Sequence, residues 1–256
     1  MSVTHGSFVW YELMTTDVKA AAAFYSAVLG WDAADSGMPG LTYTLFSNKG
    51  ALVAGLMDIP PDAAARNVPP NWTGFVAADD VDVSAAEVVK LGGQVHRAPD
   101  DIPGVGRFAI AADPYGAVFG LFKGQGEPPE MPGLGTPGHI AWRELHAGDG
   151  PGAFEFYSRL FGWEKHQGLD MGPMGIYQLY GQNGTDYGGI MTRTKDMCGP
   201  MWVYYIQVDN IDETAKRVTD NGGKILMEPM EVPGEMWVIQ CRDPQGALTA
   251  MVGPRS

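Results

Sequence analysis

The chain has 256 residues, of which 45% are hydrophobic and 18% are charged, a composition typical of soluble globular proteins. Its formal net charge of -13 disfavours nucleic acid and anionic membrane surfaces as partners, because both would repel it. The sequence contains no run of about 18 apolar residues and no basic stretch followed by an apolar one at its start, so it predicts neither a membrane span nor a secretory signal, and we expect a cytoplasmic protein.

The first half of the chain predicts a strand, a helix and three strands, and then the same order again. Asp17 and Gly30 are suitable capping residues for the start and end of the first helix. In chain order we predict strand 8–14, helix 17–29, strands 31–34, 41–47, 51–57 and 73–78, helix 81–91, and strands 94–96, 107–112 and 117–122. The second half predicts this order again, with elements that start at Ile140, Ala153, Tyr177, Thr185, Val203, Asp212, Lys224, Val238 and Leu248.

The second half of the chain repeats the first. WYEL at 10–13 returns as WREL at 142–145, and FYS at 24–26 returns at 156–158, both at an offset of 132 residues. Between the repeats, residues 124–138 contain four prolines and five glycines, which disfavour a helix or a central strand. We therefore predict a domain at 1–124, a linker at 125–137 and a second domain at 138–256.

Three motifs occur in the same order in both halves: FY within the first helix, LGW or FGW after it, and DPYG or DPQG before the last strand. In this pattern the chain resembles the vicinal oxygen chelate superfamily, which includes glyoxalase I, extradiol dioxygenases, fosfomycin-resistance enzymes and bleomycin-resistance binding proteins. It is more narrowly similar to the two-domain glyoxalase-like proteins of bacteria. The resemblance implies an α+β fold of tandem glyoxalase-like domains, in which two βαβββ modules form a cupped mixed sheet with helices outside.

The resemblance also implies where each cup would hold a divalent metal, namely on its first, fourth, fifth and eighth strands. The corresponding positions here are Trp10, Met57, Thr73 and Gly120 in the first half, and Trp142, Met191, Val203 and Ala250 in the second. Indole, aliphatic and glycine positions offer no carboxylate oxygen or imidazole nitrogen to such an ion. We therefore predict no metal in either cup and no other cofactor.

Apolar and aromatic side chains with one acid take the place of the metal ligands. Because side chains alternate along a strand, Trp10 shares a face with Glu12, and Trp142 shares a face with Glu144 and His146. Such a lining is typical of a small-molecule pocket. The candidate ligand-binding residues are Trp10, Glu12, Tyr43, Met57, Thr73, Trp142, Glu144, Tyr177, Met191 and Val203.

Glu12 and Glu144 are also the candidate catalytic residues, as a general base or acid. A structural role, in which either carboxylate pairs with Arg107 or Arg143, is about as well supported. The five histidines show no metal-ligand spacing and are interpreted as incidental, although His146 shares the face of Glu144. The cysteines, Cys198 and Cys241, form no CxxC motif and are expected to be unpaired thiols.

Three functional hypotheses follow. The preferred one is metal-independent binding of a small apolar or aromatic molecule, a sequestration of the bleomycin-resistance type. The alternative is a glyoxalase-like lyase or hydroxylase that uses Glu12 or Glu144 as acid or base, either without a metal or with a metal site that the family pattern does not reveal. The third is a structural protein whose cups are filled with side chains. We expect a small-molecule ligand as the partner, and either a monomeric pseudo-dimer or a homodimer.

Overall fold

The computed structural model describes residues 4–38, 42–126, 132–133 and 135–255. The first half contains β1 (Phe8–Thr15), α1 (Val18–Leu29), β2 (Asp32–Asp35), β3 (Thr44–Asn48), β4 (Ala51–Asp58), α2 (Pro61–Ala65), β5 (Asn71–Ala77), α3 (Val81–Lys90), β6 (Gln94–Ile102), β7 (Gly106–Ala112) and β8 (Val118–Gly124). The second half contains β9 (Ile140–Ala147), α4 (Gly150–Phe161), β10 (Glu164–Asp170), β11 (Ile176–Gln182), β12 (Thr185–Thr192), β13 (Met201–Gln207), α5 (Ile211–Asp220), β14 (Lys224–Val232), β15 (Met236–Arg242) and β16 (Leu248–Gly253), with a 3-10 turn at Gly172–Met174.

The strands form two mixed sheets of eight strands each. Their orders are β2-β3-β4-β1-β5-β8-β7-β6 and β10-β11-β12-β9-β13-β16-β15-β14, so the second sheet repeats the topology of the first. In each βαβββ module the first and last strands are parallel, and the three strands after the helix run antiparallel to one another. The predicted α+β fold of glyoxalase-like repeats is confirmed, whereas the predicted domain boundaries stay a prediction.

The helix boundaries follow from capping residues. Asp17 caps α1 by accepting a hydrogen bond from the backbone of Ala20, and Gly30, at a φ of 72°, ends it in the left-handed conformation that glycine adopts without strain. In the second half Asp149 caps α4 in the same way. This helix therefore begins at Gly150, three residues before the predicted start, because Pro151 is tolerated in a first turn. The predicted strand 41–47 is observed from Thr44, and Leu41 lies outside the described residues.

The contacts divide the chain into two compact units, each of which contains segments of both halves. The described residues of Met1–Val9, Gly74–Met131 and Trp142–Trp202 form one unit, and those of Trp10–Thr73, Pro132–Ala141 and Val203–Ser256 form the other. The compact units therefore do not coincide with the two halves of the sequence. The halves repeat in sequence, and the units are assembled from one module of each half.

A buried hydrogen-bond network connects the two halves within the second of these units. The Tyr25 hydroxyl, in the FY motif of the first half, donates to Asp243 Oδ2 at 3.1 Å and lies 2.7 Å from Thr249 Oγ1. Trp72 Nε1 donates to the Tyr25 oxygen at 3.1 Å. Asp243 belongs to the DPQG motif, and its Oδ1 also accepts from the backbone of Ala247. The motif thus shapes a turn and holds a tyrosine from the other half.

The first unit contains the corresponding network with the halves exchanged. Tyr157, in the FY motif of the second half, donates to Asp113 Oδ2 at 3.4 Å, and Trp202 Nε1 donates to the Tyr157 oxygen at 3.1 Å. Burial raises the pKa of both DPxG carboxyls above the usual range for aspartate. Trp72 and Trp202 thus occupy equivalent places in the two networks. Trp31 and Trp163, the tryptophans of the LGW and FGW motifs, are each 1% exposed and belong to the core.

Candidate functional site

Three predicted site residues of the first half lie in hydrogen-bond contact. Trp10 and Glu12 alternate on β1, and Tyr43 lies just before β3. Trp10 Nε1 donates to the Tyr43 oxygen at 2.9 Å, and the Tyr43 hydroxyl donates to Glu12 Oε2 at 2.9 Å. Trp10 and Glu12 are partly exposed, whereas Tyr43 is buried. We call Trp10, Glu12 and Tyr43 the first cluster.

The second half contains the same arrangement. Trp142 Nε1 donates to the Tyr177 oxygen at 2.7 Å, and the Tyr177 hydroxyl donates to Glu144 Oε2 at 2.8 Å. The Glu144 side chain is 13% exposed. We call Trp142, Glu144 and Tyr177 the second cluster. Because an indole N–H can only donate, the tyrosine oxygen accepts from it and its own hydrogen is directed at the carboxylate.

Two glycines make room for the tyrosines. Gly55 is the register partner of Glu12 on β4, and a Cβ at this position would lie 1.7 Å from the Tyr43 hydroxyl oxygen. Gly189 is the register partner of Glu144 on β12, and a Cβ there would lie 2.1 Å from the Tyr177 ring. Each tyrosine therefore packs directly on a strand backbone beside the glutamate that it binds. The glycines belong to the repeated GLM and GIM segments of the sequence.

The electrostatics of the first cluster keep the tyrosine protonated. Burial, followed by the nearby Glu12 charge, raises the pKa of Tyr43 well above its usual value. A neutral Tyr43 remains a hydrogen-bond donor, and the Glu12 carboxylate remains its acceptor. The hydrogen bond from Tyr43 therefore holds the Glu12 carboxylate close to the Trp10 indole.

The two clusters differ at the residue that follows the glutamate by two positions. His146 Nε2 lies 2.7 Å from Glu144 Oε1, and the His146 side chain is only 8% exposed. Its Nδ1 has no hydrogen-bond partner in the described part of the chain. The first half has Met14 at this place. Interpreting His146 as incidental did not anticipate this contact; its shared strand face with Glu144 was the signal for it.

The remaining predicted residues lie at the margins of this arrangement. Met57 is the register partner of Met14, and Met191 is the register partner of His146, so both methionines lie on the strand next to their cluster. Thr73 is 3% exposed and its hydroxyl donates to Asn71 Oδ1 at 3.2 Å. Val203 is 2% exposed. Thr73 and Val203 are thus buried, and their place in a ligand site stays a prediction.

Arg107 and Arg143, the arginines proposed as structural partners of the glutamates, have described contacts with other residues, and their pairing with Glu12 or Glu144 stays a prediction. Arg107 donates to Asp82 at 2.7 and 2.9 Å and to Asp101 at 2.9 Å. The Arg143 guanidinium lies 5.8 Å from the centre of the Phe8 ring. The Arg107 contacts occupy its guanidinium with aspartates on the surface. The hydrogen bonds described for the two glutamates come from tyrosine and histidine.

The residues at the metal positions of the vicinal oxygen chelate pattern do not fit a divalent ion. A Cβ at Gly120 would lie 2.1 Å from the Phe75 ring, so the space of a longer side chain there is already filled. In the second half Ala250 is the register partner of Tyr205, the counterpart of Phe75. The Trp10 indole nitrogen carries a hydrogen that Tyr43 accepts. Among the described residues no three His, Cys, Asp or Glu side chains come together as a metal site.

A sequence model of the Glyoxalase/Bleomycin resistance protein/Dioxygenase superfamily matches residues 7–121 and 136–251. The chain belongs to this superfamily. It is 31% identical over 247 residues to a putative glyoxylase, CFP32, of Mycobacterium tuberculosis, a match that covers 96% of this chain and 94% of the relative. It is 34% identical over 245 residues to the anthracycline biosynthesis protein DnrV of Streptomyces peucetius, covering 89% of this chain and 86% of that protein.

Solved structures show the same superfamily fold. The Mn(II)-bound glyoxalase from Novosphingobium aromaticivorans superimposes with a TM-score of 0.66 at 18% identity, covering 99% of this chain and 83% of that one. The 2,3-dioxygenase LapB from a Pseudomonas species superimposes with a TM-score of 0.66 at 11% identity, covering 100% and 94%. At these identities the likeness establishes the fold and no activity. In the described residues, no helix has the length and apolar character needed to cross a membrane.

Proposed function

We propose that this protein binds a small, largely apolar or aromatic molecule without a metal, through its two Trp–Tyr–Glu clusters. The observation that carries the proposal is the replacement of the superfamily's metal ligands by an indole hydrogen-bonded to a tyrosine that fixes a glutamate. An indole offers a flat apolar face on which an aromatic ring can stack. A carboxylate held beside that face can accept a hydrogen bond from a ligand O–H or N–H group.

The methionines beside each cluster support the same function. Met57 is partly exposed and Met191 is 7% exposed, and both lie next to the strand that carries the tryptophan and glutamate. A thioether side chain adapts to irregular apolar shapes because it has three rotatable bonds. The combination of a rigid aromatic face, a fixed acceptor and an adaptable neighbour favours a bulky aromatic ligand over a small hydrophilic one.

The relatives make one ligand class especially attractive. A protein 34% identical to this chain is named for anthracycline biosynthesis. Anthracyclines are planar fused-ring aromatic compounds with several hydroxyl groups. The ring system of such a molecule could stack on Trp10 or Trp142. One of its hydroxyl groups could then donate a hydrogen bond to Glu12 or Glu144. Sequestration of the bleomycin-resistance type is the corresponding role within the superfamily.

The decisive experiment measures binding of 1,8-dihydroxyanthraquinone to protein that has been treated with EDTA and analysed for metal by mass spectrometry. We expect saturable binding to metal-free protein. The double variant Trp10→Leu, Trp142→Leu should lose about two- to tenfold in affinity, because aromatic pairs contribute about 0.5–1.5 kcal/mol beyond their area. Trp237→Leu is the matched control, since Trp237 lies against Arg255 instead of in a cluster.

Two results would contradict the proposal. The first is binding that disappears with EDTA and returns with Mn(II) or Zn(II), because it would make a metal part of the site. The second is unchanged affinity in the double tryptophan variant. Native mass spectrometry of the purified protein provides an independent check, since a retained organic compound would show the class of the natural ligand.

Proton transfer by Glu12 or Glu144 is the second candidate function, as in a glyoxalase-like lyase or hydroxylase. It is favoured by the fixed orientation of both carboxylates and by the name of the relative that is called a putative glyoxylase. A carboxylate positioned within hydrogen-bond reach of a ligand can act as a general base. Turnover by the double variant Glu12→Gln, Glu144→Gln separates this function from binding alone.

A further inference from the structure

The two clusters have the same tryptophan, tyrosine and glutamate, but they differ at the residue two positions after the glutamate. The first half has Met14 and the second half has His146, at the same offset of 132 residues that relates the WxEL segments. The fold therefore accepts an apolar thioether at this place. A histidine is not needed there for packing, so its presence in one half calls for another explanation.

The hydrogen bonds of the second cluster and of His146 converge on Glu144. Trp142 donates to Tyr177, and Tyr177 donates to Glu144 Oε2. Glu144 Oε1 lies 2.7 Å from His146 Nε2, which in the neutral imidazole donates its hydrogen to the carboxylate. This tautomer leaves a lone pair on Nδ1. The hydrogen bond of Nε2 to Glu144 therefore leaves Nδ1 as the basic nitrogen of the imidazole.

That nitrogen is buried and unpaired. No described residue forms a hydrogen bond with His146 Nδ1, although the side chain is only 8% exposed. Buried polar atoms in native proteins nearly always have a partner, and the exceptions are explained by strain, by a water or an ion, or by a catalytic role. Met191 is the register partner of His146 on β12, and a thioether side chain adapts readily to a neighbouring group.

We propose that the second cluster is a general-base site, in which His146 Nδ1 accepts an acidic proton from a planar aromatic ligand held against Trp142. The first cluster, with Met14, binds without chemistry. This inference rests on the proposed binding function and adds a reaction to one of its two sites. Glu144 is then a positioning residue, because it fixes the imidazole tautomer and stabilises the imidazolium that forms.

The proton transfer balances without an oxidant or a metal. A ligand C–H or O–H bond breaks, the proton passes to Nδ1, and the electron pair stays on the ligand, where its carbonyl or aromatic system delocalises it. The imidazolium is stabilised by the Glu144 carboxylate at Nε2. Return of the proton to another atom of the ligand would complete an isomerisation and regenerate the neutral histidine.

The probe that tests this site is 5-nitrobenzisoxazole, a flat aromatic compound that eliminates when a base removes its single acidic C–H proton. The C–H and N–O bonds break, a nitrile forms, and the product is a coloured nitrophenolate that absorbance follows directly. We expect the protein to convert the probe. The variant His146→Asn, which retains a polar acceptor near the Nδ1 position but no base, should lower turnover at least about a hundredfold.

Three further variants define the roles. His146→Met copies the first half, where the fold accommodates methionine, and should lower turnover as strongly. Glu144→Gln should also lower turnover, because an amide does not stabilise the imidazolium. His96→Asn, at an exposed histidine of β6, is the matched control and should leave turnover unchanged. Circular dichroism spectra establish that each variant is folded.

Binding of the probe, measured separately by quenching of tryptophan fluorescence, distinguishes the two proposals. Protein that binds the probe without converting it overturns the inference and leaves the proposed binding function intact. Protein that neither binds nor converts the probe contradicts both. Wild-type turnover in folded His146→Asn and His146→Met would assign the reaction to another group and overturn the inference, whereas binding within about tenfold of wild type, with turnover lost, supports it.

Discussion

Gly189→Ala is expected to break the second cluster although it adds only one methyl group. A Cβ at residue 189 would lie 2.1 Å from Tyr177 ring atoms, so the ring must move. Movement of the ring breaks its hydrogen bonds with Trp142 and Glu144. Overpacking costs about 1–3 kcal/mol, and the two hydrogen bonds contribute about 1 kcal/mol each. We therefore expect a loss of about 3–5 kcal/mol in the free energy of unfolding.

Thermal unfolding followed by circular dichroism measures this loss. At about 2–4 °C per kcal/mol for a chain of this size, the melting temperature should fall by roughly 6–20 °C. Gly124→Ala on β8 is the matched control, because a Cβ there would lie 3.4 Å from its nearest neighbour, an ordinary contact. It should leave the melting temperature nearly unchanged.

A double-mutant cycle shows whether the tyrosine ring is the cause. In a Tyr177→Ala background the space beside residue 189 is open, so Gly189→Ala should cost less than about 1 kcal/mol. An equal loss of stability in the presence and absence of the Tyr177 ring would refute the steric explanation. The position of the Tyr177 ring would then not require a glycine at residue 189.

Three further predictions concern charge. Hydrogen bonding to Asp186 raises the pKa of His166 above 6.5, so the stability that this bond contributes is fully present below pH 6.5 and is lost as the pH rises through the folded-state pKa. Asp186→Asn should therefore lower the melting temperature at pH 5.5 and leave it unchanged at pH 9. An equal effect at both pH values would contradict this prediction. Burial raises the pKa of Asp243 above 3.8, so the wild type should lose stability relative to Asp243→Asn as the pH rises from 3.8 through the higher folded-state pKa. Denaturant unfolding of both proteins across this range measures their relative stability, and a wild type that gains stability relative to Asp243→Asn would contradict a raised pKa. The double variant Glu12→Gln, Glu144→Gln should lose at least about a hundredfold of any proton-transfer turnover, and retained turnover would remove both acids from the reaction.

Much of the fold follows from local signals in the sequence. Asp17 and Gly30 mark the ends of α1, and the repeat transfers the same reasoning to the second half. Alternation along β1 places Trp10 and Glu12 on one face, which is how the structure has them. The strand β6 is longer than its predicted residues 94–96 and extends to Ile102, since its antiparallel pairing with β7 continues beyond the locally strand-like residues.

The features that the sequence did not reveal depend on distant partners. The shared face of Glu144 and His146 was visible, but not that an imidazole nitrogen would approach the carboxylate to 2.7 Å. The pairing of Arg107 with Asp82 and Asp101 likewise depends on a helix and a strand that only the fold brings together. Two identical motifs also leave open which half contacts which, because each tyrosine could reach an aspartate of its own half or of the other.

The exchange of the Tyr25 and Tyr157 hydrogen bonds between halves has a consequence for chain connectivity. The aspartate that accepts the hydrogen bond of each tyrosine lies in the other half of the chain, more than 40 residues away. Each half alone would therefore lack the acceptor for its own tyrosine. Two fragments produced by cutting the chain between residues 126 and 132 should therefore be poorly soluble apart and should reconstitute the protein by complementation when they are expressed together. In such a polypeptide the peptide link would serve mainly to guarantee equal amounts of the two partners.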